Sequence, residues 1–293
     1  MSRVWLLNLD ADREMGRPLG YVPTVSMVAG MSAWRAELRA SLCGPEDYVL
    51  DEDDVSALNP EDHEACAWCP TPTALKRLDQ GGWRLPEHPS FDVVRRVNHR
   101  RFCAELGQTL EHAAFLSRCD HILDHVGPET QSGWWLLKRP FGFSGKGRRR
   151  VRCGRLKASD RAWIDASLKR GDGLQVEPWI ERDGDFVVHG RIEKTGVTQL
   201  GCVCVQVCDA RGAWQQTTHL VDGVLSSAEQ RALLDVAEAT ASTLSSAGYF
   251  GPFGIDSYRY HHGRARRMNP RSEINARYTM GWAVGMASPR RPR

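Results

Sequence analysis

Gly254-Ile-Asp-Ser-Tyr258, a basic gap, and then Pro270-Arg-Ser-Glu-Ile-Asn-Ala-Arg277 carry the densest chemical pattern in the chain. Successive side chains of a β-strand point to opposite faces, so Glu273, Asn275 and Arg277 would share one face: a carboxylate, an amide and a guanidinium. A hairpin turn at His262-Gly263 would fold the preceding apolar run back and bring Asp256 beside Glu273. Two carboxylates and an amide are hard oxygen donors of the kind that hold Mg2+ together with substrate phosphates. The pattern predicts a bound nucleotide rather than a free ion.

Upstream, Gly133-Trp-Trp-Leu-Leu-Lys138 reads as a strand that delivers Lys138 to a glycine-rich run ending at Gly147. Gly142, Gly145 and Gly147 would let backbone amides approach an anion, and Ser144 adds a hydroxyl. The spacing is not that of a P-loop. Arg148, Arg150 and Arg152 instead suggest the return strand of a hairpin that closes as a flap over phosphates. Leu174 to Ile180 reads as a strand stopped by Pro178, which would present Glu177 and open backbone at Trp179 and Ile180 to an adenine edge; a plain strand exit is the other reading. An antiparallel set follows (Asp185 to Ile192, Thr198 to Val207, Ala213 to Leu220), then a helix from Ser227 with Ser226 and Glu229 as its capping box, ended by Gly248. Gly254, between Phe253 and Ile255, suggests a close approach near Asp256.

Towards the N-terminus, Val4 to Asp10 reads as a buried parallel strand opening into a loop whose Asp10 and Arg17 are either solvated or in reach of substrate. A helix from Ser32 and a short strand at Asp47 to Leu50 follow, and Pro70, Pro72, Pro86 and Pro89 are expected to break regular structure around Leu75 to Leu78. From Phe91 to Leu106 the apolar spacing predicts an amphipathic helix interrupted near Asn98. Its polar positions include Arg95, Arg96, His99, Arg100 and Arg101 against only Asp92 and Glu105, which points to a nearby phosphate.

With 41% apolar and 26% charged residues in 293, the chain has room for two domains and a sizeable core. No apolar run of eighteen residues and no signal peptide are present, so a cytoplasmic protein without a membrane span is expected. A formal charge of +3 does not imply nucleic acid, and the arginine clusters at 148 to 152 and 264 to 267 suit an anionic small molecule better. The nine cysteines are dispersed, which argues against a disulfide framework. Cys66 and Cys69 with His63 supply three zinc-type ligands but no second pair, so an incidental role is preferred. Cys202, Cys204 and Cys208, evenly spaced, read as small apolar strand residues facing a core.

Taken in order, these elements resemble the ATP-grasp superfamily over about residues 90 to 285. The resemblance implies an α+β fold in which two α+β subdomains (90–178 and 179–293) hold ATP between them, behind a small α/β N-terminal domain (1–89) that helps bind substrate. Lys138 resembles the family's phosphate-binding lysine, Gly142 to Gly147 its mobile loop, and Glu177 with Trp179 and Ile180 its adenine-binding hinge. Asp185 stands where the family has an acid for the ribose hydroxyls, although that acid is usually glutamate. Asp256, Glu273 and Asn275 resemble the ligands of Mg2+ or Mn2+, and Arg277 the phosphate-contacting arginine. Near Asn98, His99-Arg100 replaces a lysine that many members use for the nucleotide, and Asn269-Pro-Arg271 is an addition before the metal strand. The implied chemistry is ATP-dependent joining of a carboxylate, an amino acid or peptide, to an amine through an acyl phosphate. Arg148, Arg191, Arg259 and Arg271, with Arg150 and Arg152, are candidates for a substrate carboxylate, because guanidinium forks pair with carboxylates bidentately. A small-molecule kinase on the same fold and a non-catalytic nucleotide-binding module are the rival readings. No membrane or nucleic-acid partner is expected, and a homodimer is left open.

Overall fold

The computed structural model describes residues 2–17, 21–23, 31–107, 109–142, 145–209 and 212–287. Ser144 lies outside them. Three sheets organise the described residues. In the first, β1 (Arg3–Leu6) runs parallel to and between β2 (Tyr48–Val49) and β3 (Glu64–Ala67), with α1 (Ala11–Gly16), α2 (Ser32–Leu42) and α3 (Pro72–Gln80) around it. The expectation that prolines break the chain around Leu75 to Leu78 is corrected. Pro72 occupies the first turn of α3, where its missing N–H costs nothing and its fixed φ suits a helix start. Ala74 and Leu78 of that helix then pack on Val4, Leu6, Ala65 and Trp83.

Helices α4 (Phe91–Asn98) and α5 (Arg100–Glu105) meet at His99, whose ring accepts from the Arg101 amide as an N-cap at 3.0 Å. The interruption near Asn98 is therefore real and lies at a cap. The second sheet has the order β4 (Ala114–Leu116), β7 (Leu174–Pro178), β5 (Trp134–Lys138), β6 (Arg148–Arg152), antiparallel throughout. Trp135, Leu137, Val151 and Val176 point to one face and pack on Ile122 and Val126 at α6 (Cys119–His125) and Ile164 of α7 (Ala158–Leu168). Strand alternation then sends Leu136, Lys138, Arg148, Arg150 and Glu177 to the opposite face.

The third sheet has the order β10 (Trp214–His219), β9 (Thr198–Cys208), β8 (Arg182–Ile192), β11 (Gly251–His262), β12 (Ala265–Asn275). Phe186, Val188, Phe253, Ile255 and Ile274 pack on Leu233, Ala237, Ala241 and Leu244 of α8 (Ser227–Ser246). Each such buried Val, Leu, Ile or Phe side chain contributes about 1.5–3 kcal/mol of apolar burial. The capping box forms as expected: Ser226 N donates to Glu229 Oε2 at 2.8 Å and Glu229 N to Ser226 Oγ at 3.2 Å. This core is continuous with Leu7, Leu9 and Met15 of the N-terminal unit and with Val94 and Val97 of α4. A short helix, α9 (Trp282–Met286), lies against β8, β9 and β10. No helix among the described residues is long and apolar enough to cross a membrane.

Candidate active site

Gly263, at φ 61°, closes the β11–β12 hairpin, and the register sets Asp256 directly opposite Glu273 and Gly254 opposite Asn275. The ladder shifts between Asp256 and Tyr258: Asn269 pairs with Tyr258, and Pro270, Arg271 and Ser272 form the bulge in β12. Pro270 cannot donate to a ladder, which is why the addition sits at a bulge. Asp256 accepts from Asn275 Nδ2 at 3.1 Å and from Gln206 Nε2 at 3.2 Å. Burial, and then the Glu273 carboxylate, push its pKa up to about 7. Glu273 behaves in the opposite way. Burial alone would raise it, but Arg100, Lys138 and Arg277 outweigh that and hold its carboxyl below the ordinary glutamate range.

Arg100 makes the tightest contact to this carboxylate. Its Nη2 lies 2.6 Å from Glu273 Oε1, and its Nη1 donates to the Arg139 carbonyl at 2.7 Å at the base of the glycine hairpin. Lys138 Nζ lies 2.5 Å from Glu177 Oε1, both side chains nearly buried. One cavity of about 210 Å³ gathers Lys138, Gly142, Gly145, Gly147, Arg148, Asp185, Asp256, Glu273, Asn275 and Arg277, together with Arg100, Arg182 and Gln206. The donor set fits a hard divalent cation: two carboxylates and an amide oxygen. It also fits an anion, because Arg100 Nε and Arg277 Nε are buried with no hydrogen-bond partner among the described residues, a costly state unless an acceptor arrives.

Several expected positions are placed differently. Arg277 does not continue the strand face: β12 ends at Asn275, and Arg277 N turns back to the Asn275 carbonyl at 3.0 Å. Its guanidinium still borders the cavity, but Nη2 is paired with Asp12 Oδ2 of α1 at 2.7 Å. Glu177 is paired with Lys138. Trp179 has both backbone groups engaged, its amide donating to Trp134 O at 2.9 Å and its carbonyl accepting from Ser132 Oγ at 2.7 Å. Trp179 and Ile180 instead border a cavity of about 610 Å³ with Leu110 and Tyr260. Asp185 pairs with Arg182 at 2.6 Å, and Arg182 lies over the Tyr258 ring at 4.2 Å.

Three substrate candidates fall outside the cleft. Arg259, with odd parity relative to Asp256, points to the α8 side, where it pairs with Asp183 at 2.9 Å and donates to Val224 O. Arg271 donates to the Gly107 carbonyl at 2.8 Å and so ties the bulge to the end of α5. Arg191 lines an adjoining cavity beside Arg3 and Cys66, which meets the cleft at Trp68 and Arg277. Arg148 does reach the cavity of Asp256 and Glu273, whereas Arg150 is sandwiched over Trp134 and Trp179 at 4.6 and 4.9 Å. The close approach at Gly254 is made by Thr279: a Cβ there would lie 2.8 Å from Thr279 Cγ2. Cys66, Cys69 and His63 form no metal-type cluster among the described residues.

Sequence reasoning missed the third wall. A cavity of about 690 Å³ shares Gly142, Lys146 and Gly147 with the cavity of Asp256 and Glu273 and is lined by Arg13, Arg17, Arg95, Arg139 and Arg170. These arginines come from four separate segments; Arg17 and the basic bias of α4 were the visible signals, and Arg13, Arg139 and Arg170 were hidden because non-local neighbours leave no spacing pattern.

No family model and no curated protein sequence matches the chain. Solved structures do. D-alanyl-alanine synthetase A from Vibrio cholerae O1 biovar eltor is 14% identical over 94% of this chain and 88% of its own, with a TM-score of 0.54. N5-carboxyaminoimidazole synthetase from Staphylococcus aureus, complexed with ADP, is 11% identical over 98% of this chain and 78% of its own, with a TM-score of 0.53. The N5-carboxyaminoimidazole ribonucleotide synthetase of Thermus thermophilus gives 17%, 94%, 71% and 0.50. These neighbours are ATP-grasp ligases, and the chain has their α+β fold.

Proposed function

We propose that the protein is an ATP-dependent ligase that joins a carboxylate to an amine and releases ADP and phosphate. The observation that carries this reading is the convergence of Asp256, Glu273, Asn275, Lys138, Arg100 and Arg148 on one cavity beneath the glycine hairpin. Asp256, Glu273 and Asn275 would hold Mg2+, which neutralises β- and γ-phosphate charge when bound. Lys138 and Arg148 face the cavity from the other sheet and would bind the transferring group, with Arg277 beside them. Ile180 and Tyr260 line the apolar cavity suited to a base. Asp185 would take the ribose hydroxyls. The arginine-lined cavity, which adjoins that of Asp256 and Glu273 at Gly142, Lys146 and Gly147, would take the carboxylate substrate, an amino acid or peptide.

In the first step a carboxylate oxygen bonds to the γ-phosphorus as the bond from the bridging oxygen breaks, giving an acyl phosphate and ADP. The amine nitrogen then attacks the acyl carbon, phosphate departs, and the amine loses a proton. The side chains do no covalent chemistry; they bind, orient and supply charge in a site that closes away from solvent.

A screen of amino acids and short peptides with ATP and Mg2+, read by ADP and phosphate release and by mass spectrometry of condensed products, tests the reading. Glu273→Gln with Asn275→Ala is expected to lower turnover by at least about two orders of magnitude with native circular dichroism. ADP formation unchanged in that variant removes the metal assignment. ADP without inorganic phosphate marks a kinase instead.

A further inference from the structure

Cys202, Cys204 and His219 are assigned no part in the chemistry above; Cys204 is buried, as a core-facing strand residue should be, whereas Cys202 and Cys208 are only half-buried. Val203 and Val205 take the α8 side of β9, so Cys202 and Cys204 point the other way, beneath α9. There Cys202 Sγ lies 3.8 Å from Cys204 Sγ and 3.5 Å from Nδ1 of His219 on β10. Ligand atoms bound tetrahedrally to one zinc ion, at its usual sulfur and nitrogen distances, stand about 3.8 Å apart for two sulfurs and about 3.5 Å for sulfur and nitrogen. Both separations match.

A disulfide is the competing use of two cysteines. It is disfavoured here because side chains two apart on one strand stand farther apart at Cβ than the short span a disulfide requires, and all nine cysteines are free. Simple hydrogen bonding is the other. Cys202 lies 3.5 Å from the Gly285 carbonyl and 3.5 Å from His219 Nδ1, and Cys204 3.8 Å from the Cys202 carbonyl, but thiols are weak donors. The surroundings are closed over this point. A Cβ on Gly201 would sit 2.2 Å from the Gly285 carbonyl oxygen, and one on Gly285 2.2 Å from His189 Nδ1. His189 is wholly buried, and neither ring nitrogen has a hydrogen-bond partner among the described residues. Cys204 is buried here, while Cys202 and His219 are half-buried, so the cluster is closed on the side of Gly201 and Gly285 and reachable by an ion from the other.

We propose that Cys202, Cys204 and His219 bind a thiolate-preferring divalent ion of the zinc type, separate from the Mg2+ cleft. Two thiolates and an imidazole select a soft or borderline ion over Mg2+, and three protein ligands leave a fourth position for water. The ion would clamp β9 to β10 beneath α9. Gln206 and Cys208, further along β9, border the phosphate cavity together with Thr279 and Met280, just ahead of α9.

Metal-stripped protein titrated with Co2+ in excess Mg2+ tests the proposal, because a thiolate-to-cobalt charge-transfer band reports cysteine ligation and the Mg2+ cleft contains none. Saturation at one ion per chain is expected, with the band bleached by Zn2+. Cys202→Ser with Cys204→Ser is expected to abolish it, and Cys66→Ser with Cys69→Ser to retain it. Should the buried Cys204 variant fail to fold, His219→Gln at its half-buried position is expected to weaken Co2+ affinity roughly tenfold or more. The proposal is overturned by absence of the band in the parent protein, by its survival in the Cys202/Cys204 variant, or by an unchanged affinity in His219→Gln.

Discussion

Asp256 and Glu273 face each other across one hairpin and are driven in opposite directions, and the difference lies in their neighbours. Glu273 has Arg100 at 2.6 Å, whereas Asp256 has the charge of Arg277 and two amide donors, which together do not offset burial and the adjacent carboxylate. A carboxyl whose folded pKa is about 7 favours the fold below its unfolded value of about 3.9, and that contribution is lost as pH rises to the folded pKa. Metal-free Asp256→Asn is therefore predicted to match the parent near pH 4 and to become more stable than it between pH 4 and 7, by an amount of the order of 1–3 kcal/mol. Urea titrations without metal at both ends of that range check this; a difference that does not change with pH would sink it. The pairing of these two acids was legible because alternation and a glycine turn fix side chains over a short stretch. Arg100 was visible only as part of a basic helix face, not as the partner of Glu273, and Gln206 and Asp12 were not visible at all, since they arrive from distant elements and leave no local period. Arg259 shows the same rule applied to the wrong residue: the alternation that points Asp256 into the cleft sends Arg259 to the helix side.

At the level of elements, the cleft depends on two hairpins and one pin. Asn98 holds the chain just beyond β12 in place, accepting from Ala276 N at 2.9 Å and donating to Ala276 O at 3.2 Å. The glycine hairpin is held against the same region by Arg100. A Cβ on Gly142 would lie 3.0 Å from the Lys146 carbonyl and 3.1 Å from Arg100 Nη1, so Gly142→Ala must shift the hairpin, the guanidinium, or both. We predict a loss in kcat/KM for ATP of up to about 10²-fold, the scale of a misplacement near 1 Å, with a melting temperature close to that of the parent. A variant with unchanged kcat/KM would show that Gly142 is spacing only. The hairpin was readable from its glycines and the basic return strand. The helix that starts at Pro72 was not, because proline breaks a helix interior and begins a helix with equal ease, and only the packing of Leu78 distinguishes the two.

The whole molecule is joined at the phosphate end of the cleft by an ion pair between its first and last described parts. Asp12 and Arg277 are both nearly buried and 2.7 Å apart, so neither can lose its partner cheaply. Removing one member of such a pair leaves a buried charge uncompensated and typically costs about 3–5 kcal/mol. Asp12→Ala is predicted to destabilise the nucleotide-free protein by an amount in that range, measured by urea titration. The same variant separates two roles for Arg277. If the guanidinium only anchors the N-terminal unit, nucleotide stabilises parent and variant equally. If it also meets the γ-phosphate, as proposed, a non-hydrolysable ATP analogue supplies the missing counter-charge. The thermal shift it produces should then be larger in Asp12→Ala than in the parent, through the linkage of binding to folding. ADP, which lacks that phosphate, should shift both proteins alike. Equal shifts from the analogue in the two proteins would confine Arg277 to the anchoring role and leave Lys138, Arg148 and Arg100 as the phosphate-binding cations.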